Sequence, residues 1–147
     1  MKWEAETGQG RKILVIDDDP DILEALTTVL ESQGYQVATA RDGVEGLYRL
    51  KAGKTDLIIL DLIMPGMNGF AMYKRLKNPD HPEYANIPIL LLTALREESC
   101  RRRFEMETGM EMAVDDYVEK PILPTIMLQR VEKLLQKAAE AEILISD

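Results

Sequence analysis

Leu57-Ile58-Ile59-Leu60-Asp61 is the stretch on which the fold turns. Four apolar residues in an unbroken row, without the alternation of a sheet that keeps one face wet, read as a strand buried on both sides, as in parallel sheets. Working outward, Ile13 to Ile16 is a second such run, ending in Asp17, Asp18 and Asp19, and Ile87 to Leu92 is a third, ending in Thr93 and Ala94. Tyr35 to Ala40 and Val114 to Val118 read as two further strands, the last running into Lys120-Pro121. A helix is predicted from Pro20 with Ile22, Leu26, Val29 and Leu30 on one face, closed by Gly34. Others are predicted over Val44 to Leu50 behind Asp42, over Phe70 to Leu76 after a turn bracketed by Gly66 and Gly69, and over Glu97 to Glu107. The last opens near Pro124 and puts Met127, Val131, Leu134 and Leu135 on one face. NPDHPEY, residues 78–84, reads as a proline-punctuated loop. Five strands alternating with five helices predict an α/β fold: a five-stranded parallel sheet, doubly wound and covered on both sides.

The chain has 147 residues, 46% hydrophobic and 30% charged, a balance that fits one domain with a real core. Its 18 basic and 26 acidic residues leave a formal net charge of -8, which argues against direct nucleic-acid or anionic-membrane binding through a broad charged face. The single Cys100 cannot form an internal disulfide, and MKWEAETGQG lacks the apolar stretch of a signal peptide. These two features point to a reducing cytoplasm; no apolar run approaches the roughly 18 residues of a membrane span, so anything done at a membrane would go through a partner. Residues 1–11 read as a flexible leader, 12–137 as the folded domain, and 138–147 as a helix extension or tail.

Sites in such sheets lie beyond the C-terminal ends of the strands. Asp19 before Pro20 is explained as a helix cap, but Asp17 and Asp18 are not needed for that. Two carboxylates repel by about 4 kcal/mol at 4 Å and an effective dielectric near 20, so clustering them with Asp61 makes sense if a cation binds. Alone, the triplet is equally well a solvated acidic rim. An all-oxygen site suits magnesium, or manganese as a similar ion. An aspartate beside such a cation can attack a phosphoryl group. Lys120 can then place an ammonium on the phosphoryl oxygens, while the Thr93 hydroxyl and the Ala94 backbone N–H donate hydrogen bonds. Taken singly, Lys120 reads as a surface lysine and Thr93 as a β-branched strand residue; their joint placement at strand ends favours the site.

ILVIDDDP, LIILDLIMPGMNG, IPILLLTA and DDYVEKP, in that order, resemble the receiver domain of bacterial two-component response regulators. The resemblance covers about Lys12 to Lys137 and implies the flavodoxin-like (βα)5 receiver fold. It implies that Asp61 accepts a phosphoryl group, with magnesium held by Asp17, Asp18, Asp61 and the Ile63 backbone carbonyl. Lys120 would bridge to the acceptor, Thr93 would move toward the phosphoryl oxygen, and Tyr117 would turn inward behind it. Lys120-Pro121 would be cis. The donor would be a histidine kinase, a histidine phosphotransfer protein or a hybrid kinase. Output would go to a protein target or a second copy, through the fourth helix, fifth strand and fifth helix. Such a chain is a phosphoacceptor that assists its own phosphorylation and dephosphorylation without turning over an external substrate.

The sequence also departs from that pattern. Thr93 and Lys120 stand 27 positions apart, more than the family leads one to expect, with RRRF and METGMEM in between. The methionines read as core or gap filling, and Arg101 to Arg103 as a solvated helix face. Ile63 and Leu95, each two residues beyond a site residue, are apolar and cannot position a hydrolytic water, so dephosphorylation is expected over hours rather than seconds. His81, the only histidine, lies between Asp80 and Pro82 and reads as structural. Two rival readings are a phosphohydrolase of the haloacid dehalogenase type and a receiver-like module that is never phosphorylated. The first needs an acidic residue where Ile63 stands. The second is disfavoured by the full set Asp17, Asp18, Asp61, Thr93 and Lys120.

Overall fold

The computed structural model describes residues 10–64, 69–94, 96–109, 112 and 115–146, with backbone alone for 143–146. The predicted leader up to Gln9, the Gly66 turn, Leu95 and Val114 lie outside the described residues. The elements are β1 (Lys12–Ile16), α1 (Pro20–Glu31), β2 (Gln36–Ala40), α2 (Gly43–Ala52), β3 (Leu57–Leu60), α3 (Gly69–Leu76), α4 (Pro82–Ala85), β4 (Ile89–Thr93), α5 (Glu97–Thr108), β5 (Asp116–Glu119) and α6 (Pro124–Ser146). All strand pairs are parallel, in the order β2-β1-β3-β4-β5.

The unbroken apolar strands supply two cores from one sheet, because alternate side chains leave on opposite faces. Leu14, Ile16, Ile58, Leu60, Ile89 and Leu91 meet Leu50 of α2, Phe70, Met72, Tyr73 and Leu76 of α3, and Cys100 and Phe104 of α5. Ile13, Val15, Leu57, Ile59, Leu90 and Leu92 meet Leu23, Leu26 and Leu30 of α1, and Met127, Val131, Leu134 and Leu135 of α6. The four apolar positions read into the last helix are all buried.

Elsewhere the structure corrects the sequence reading. The fully buried seam of α1 is Leu23, Leu26 and Leu30, so Leu23 takes the place given to Ile22 and Val29, which are half-buried. The helix is rotated toward α6, whose Met127 and Val131 lie in the same core. Gly34 does adopt the left-handed backbone, φ 89°, two residues after the Ser32 cap. The segment read as a loop contains the one-turn α4, because Pro82 at its first position already has helical φ. The predicted fourth and fifth helices are therefore α5 and α6. Strand β4 begins at Ile89 rather than Ile87, since Pro88 has no N–H for the ladder.

The arginine run is more than a solvated face. Arg101 donates to the Met112 carbonyl at 3.0 Å, Arg103 stacks 5.0 Å over the Phe70 ring, and all three pair with glutamates four residues away. The methionines divide: Met112 is in the core, whereas Met106 is 81% exposed. No helix among the described residues is long and apolar enough to cross a membrane.

Candidate functional site

Strand register assembles the site. Ile16 pairs with Leu60, so the next residues, Asp17 and Asp61, leave the sheet side by side. Their backbones are fixed at that point: Asp61 N–H donates to the Ile16 carbonyl and Asp17 N–H to the Ala40 carbonyl, both at 3.0 Å. Thr93 pairs with Glu119, and the following Lys120 N–H donates to the Thr93 carbonyl at 2.9 Å. Three buried strands and one edge strand thus deliver a carboxylate pair, a threonine and a lysine to one end of the sheet.

Asp17 and Asp61 are 1% and 3% exposed, which is unusual for carboxylates and calls for compensating partners. Lys120 Nζ lies 3.0 Å from Oδ2 of each. Toward Asp61 this is an aligned hydrogen bond, and Asp61 Oδ1 accepts the Ile63 N–H at 3.1 Å. Asp17 Oδ1 accepts the Asp19 N–H at 2.9 Å, but its Oδ2 meets the ammonium without hydrogen-bond alignment and has no other partner among the described residues. Burial raises the Asp17 carboxyl above the ordinary carboxylate range; the Asp19 N–H and Lys120 pull the other way and fall short. Burial opposes the Lys120 ammonium, yet the oxygens of Asp17 and Asp61 outweigh it and hold that group charged.

The donor set fits a hard divalent cation. Asp17, Asp18 and Asp61 each offer one oxygen, these lie within 4.8 Å of one another, and Asp18 is open to solvent. Three carboxylates against one ammonium leave an excess of negative charge, and a buried Asp17 oxygen lacks an aligned donor. Both are deficits that an oxygen-seeking cation would remove.

Gly69 closes the site from behind. Its N–H donates to the Leu62 carbonyl at 3.0 Å, and a Cβ there would fall 2.2 Å from the Asp61 carbonyl oxygen. Only glycine lets the start of α3 approach the loop after β3 so closely. The sequence marks Gly69 as a turn residue but gives no sign of this approach.

Of the residues singled out from sequence, Asp17, Asp18, Asp61 and Lys120 come together directly. Thr93 is wholly buried and joined to Lys120 through the backbone. Ala94 is exposed just past β4, and Ile63 is 41% exposed beside Asp61. Lys120-Pro121 is cis. Asp19 caps α1 by accepting the Asp21 N–H at 2.9 Å. His81 precedes α4, 3.7 Å from Glu83 and remote in sequence from every strand end. Tyr117 is half-buried and packs against the core on the α2, α3 and α5 side.

A family model described as the response regulator receiver domain matches residues 13–132. The alkaline phosphatase synthesis transcriptional regulatory protein PhoP of Bacillus subtilis is 38% identical over 128 residues, 87% of this chain and 50% of that protein. The DNA-binding response regulator MtrA of Mycolicibacterium smegmatis is 35% identical over 127 residues, 86% of this chain and 51% of that protein. The chain spans about half the length of these curated relatives. Among solved structures, the chemotaxis protein CheY4 of Vibrio cholerae matches with a TM-score of 0.73 at 29% identity, over 85% of this chain and 98% of that one.

Proposed function

This chain belongs to the response regulator receiver domain family, and we propose that within it Asp61 accepts a phosphoryl group and Thr93 and Tyr117 transmit the change. The observation that carries the reading is the convergence of buried Asp61 with Asp17, Asp18 and Lys120 at one sheet end. A carboxylate oxygen of Asp61 attacks the phosphorus of a phosphohistidine; the O–P bond forms, the N–P bond breaks, and the imidazole nitrogen leaves with the electron pair. Little acid–base chemistry is required, so positioning and charge stabilisation do the work.

Asp17, Asp18, Asp61 and the Ile63 backbone carbonyl are the groups that would hold magnesium, with manganese a similar fit. Bound there, the ion supplies charge neutralisation for the incoming phosphoryl oxygens. Lys120, held charged by the Asp17 and Asp61 carboxylates that it bridges, would follow Asp61 and pair with its phosphorylated side chain. The Thr93 hydroxyl and the Ala94 N–H complete the set of donors. Ile63 brings no acid or base to the approach of water, which supports slow loss of the phosphoryl group.

In this reading the receiver unit is 12–137, and the protein is a phosphoacceptor rather than a turnover enzyme. It works in the cytoplasm, opposite a histidine kinase or histidine phosphotransfer protein. Its output surface is α5, β5 and α6, offered to a protein or to a second copy. The excess of negative charge supports an output that is not direct nucleic-acid binding by this domain.

Intact mass after incubation with acetyl phosphate, with and without magnesium, tests the reading beside Asp61→Asn. One added phosphoryl group that requires both magnesium and Asp61 is the expected result. No uptake by the wild type, with magnesium binding shown separately, would overturn it in favour of a module that works without phosphorylation.

A further inference from the structure

The end of the sheet opposite Asp61 carries an open groove of about 920 Å³. It is lined by Leu135, Ala138 and Ala139 of α6, and by Tyr84, Ile87 and Pro88 in and after α4. Lys51 near the end of α2, Lys54 after it and Arg11 before β1 supply basic groups. The family match ends at residue 132, so the α6 residues of the lining lie beyond it. The helix itself runs on to Ser146, but its last fully buried side chain is Leu135; Ala138 and Ala139 are half-buried and residues 140–142 are exposed.

Gly10 also lines the groove. Its N–H donates to the Gly34 carbonyl at 3.3 Å, and its φ of 70° turns the backbone there. Residues 1–9, MKWEAETGQ, join the fold at that point. Trp3 stands seven residues before Gly10, and a chain of that length spans up to about 25 Å, enough to lay an indole in the groove.

The charges match as well. Asp56 in the lining is already engaged, by the Lys12 N–H at 2.9 Å and by Lys54 at 3.6 Å. Among the described residues no ion pair engages Arg11 or Lys51, which leaves two cations for Glu4 and Glu6. The other acidic lining residues, Glu83 and Glu142, suit Lys2 on the far side of Trp3. An indole, apolar in body with one N–H, fits a lining of this mixed kind. A segment tethered so close to the groove meets it at an effective concentration on the order of millimolar, which favours it over the same segment of a second copy.

We propose that residues 1–9 of this same chain dock in the groove, with Trp3 on its apolar lining, and so brace the part of α6 that the sheet no longer supports.

Trp3 is the only tryptophan, so the fluorescence of the full chain tests this directly. In the folded chain its emission should lie to the blue of that in the urea-unfolded chain, and acrylamide should quench it less than it quenches a synthetic peptide of residues 1–10. Lys51→Glu, at an exposed position, and Ala138→Glu, at a helical one, should each move the emission to the red and the quenching toward that of the peptide, with far-ultraviolet circular dichroism unchanged. Trp3→Ala should speed amide hydrogen exchange in residues 138–146 and leave β1 and β3 as they were. Emission and quenching of the folded wild type equal to those of the peptide would overturn the proposal. So would protection that survives both substitutions, which would put the indole elsewhere, and protection lost on dilution, which would make the occupant the same segment of a second copy. If Ala138→Glu unsettles α6, Lys51→Glu makes the comparison without touching that helix.

Discussion

The two faces of the sheet are built from different material. On the α1 and α6 side the fully buried contacts are almost all Leu, Ile and Val, with Met127 and Tyr35 the exceptions. On the α2, α3 and α5 side the same kind of strand residues meet Met64, Met72, Met112, Cys100, Phe70, Tyr73 and Phe104. Branched aliphatic side chains have few rotamers and lock one packing, whereas methionine and cysteine adapt to several. Tyr73 and Phe104 add a directional edge-to-face contact, centroids 5.4 Å apart and planes at 88°. The stiff face anchors the frame that fixes Asp17 and Asp61. The adaptable face is where Tyr117 sits, so a rearrangement there need not disturb the strand ends.

The largest effect that could break this contrast is a truncation on the stiff side. Leu26→Ala should cost about 2–5 kcal/mol in denaturant unfolding, because a fully packed leucine leaves a cavity its branched neighbours cannot fill. Met72→Leu on the other side should cost less than about 1.5 kcal/mol. Equal losses at the two positions would remove the distinction.

A smaller effect separates the faces by pH. Burial pushes the Cys100 thiol up from 9.0 to about 11 and the Tyr73 phenol up from 10.0 to about 12. Both protons are held more tightly in the folded chain than in the unfolded one. Their stabilising contribution is therefore complete below about pH 9 and is lost as pH rises through 11 and 12. Tyr35 on the opposite face is raised by burial as well, so its part of the alkaline limb should remain. Melting temperature followed from neutral to alkaline pH should fall, and Tyr73→Phe with Cys100→Val should flatten the fall. An unchanged alkaline limb in that double variant would show that these groups do not govern it.

The smallest expected effect is at the rim of the adaptable face. Arg103→Gln removes the guanidinium over Phe70 and the 3.0 Å pair with Glu107. The site is half exposed, so the loss should be about 0.5 kcal/mol and should shrink in high salt. A loss several times larger would mean that the arginine run holds α5 in place.

The contrast also explains what could be read in advance. The apolar runs located β1 and β3, and the residues that follow them gather at the candidate site, because register in a parallel sheet carries each strand end to its neighbour. Asp42 capping α2 and Asp19 capping α1 were legible for a similar reason: a cap acts within three residues. The rotation of α1 was not, since Ile22 and Leu23 are equally apolar and only the position of α6 chooses between them. The approach of Gly69 to Asp61 and the shared grip of Lys120 on Asp17 were not legible either.

By itself the sequence determined the sheet, the order of its chemistry-bearing strand ends and the kind of chemistry they suit, because periodicity and short-range capping are local properties of the chain. Tertiary structure alone decided which face of α1 is buried and how one lysine serves two carboxylates. Those contacts join residues far apart in the chain, 103 positions for Lys120 with Asp17 and 59 for Lys120 with Asp61. Their partners are selected by packing after the chain has folded back on itself, and no local pattern encodes that selection.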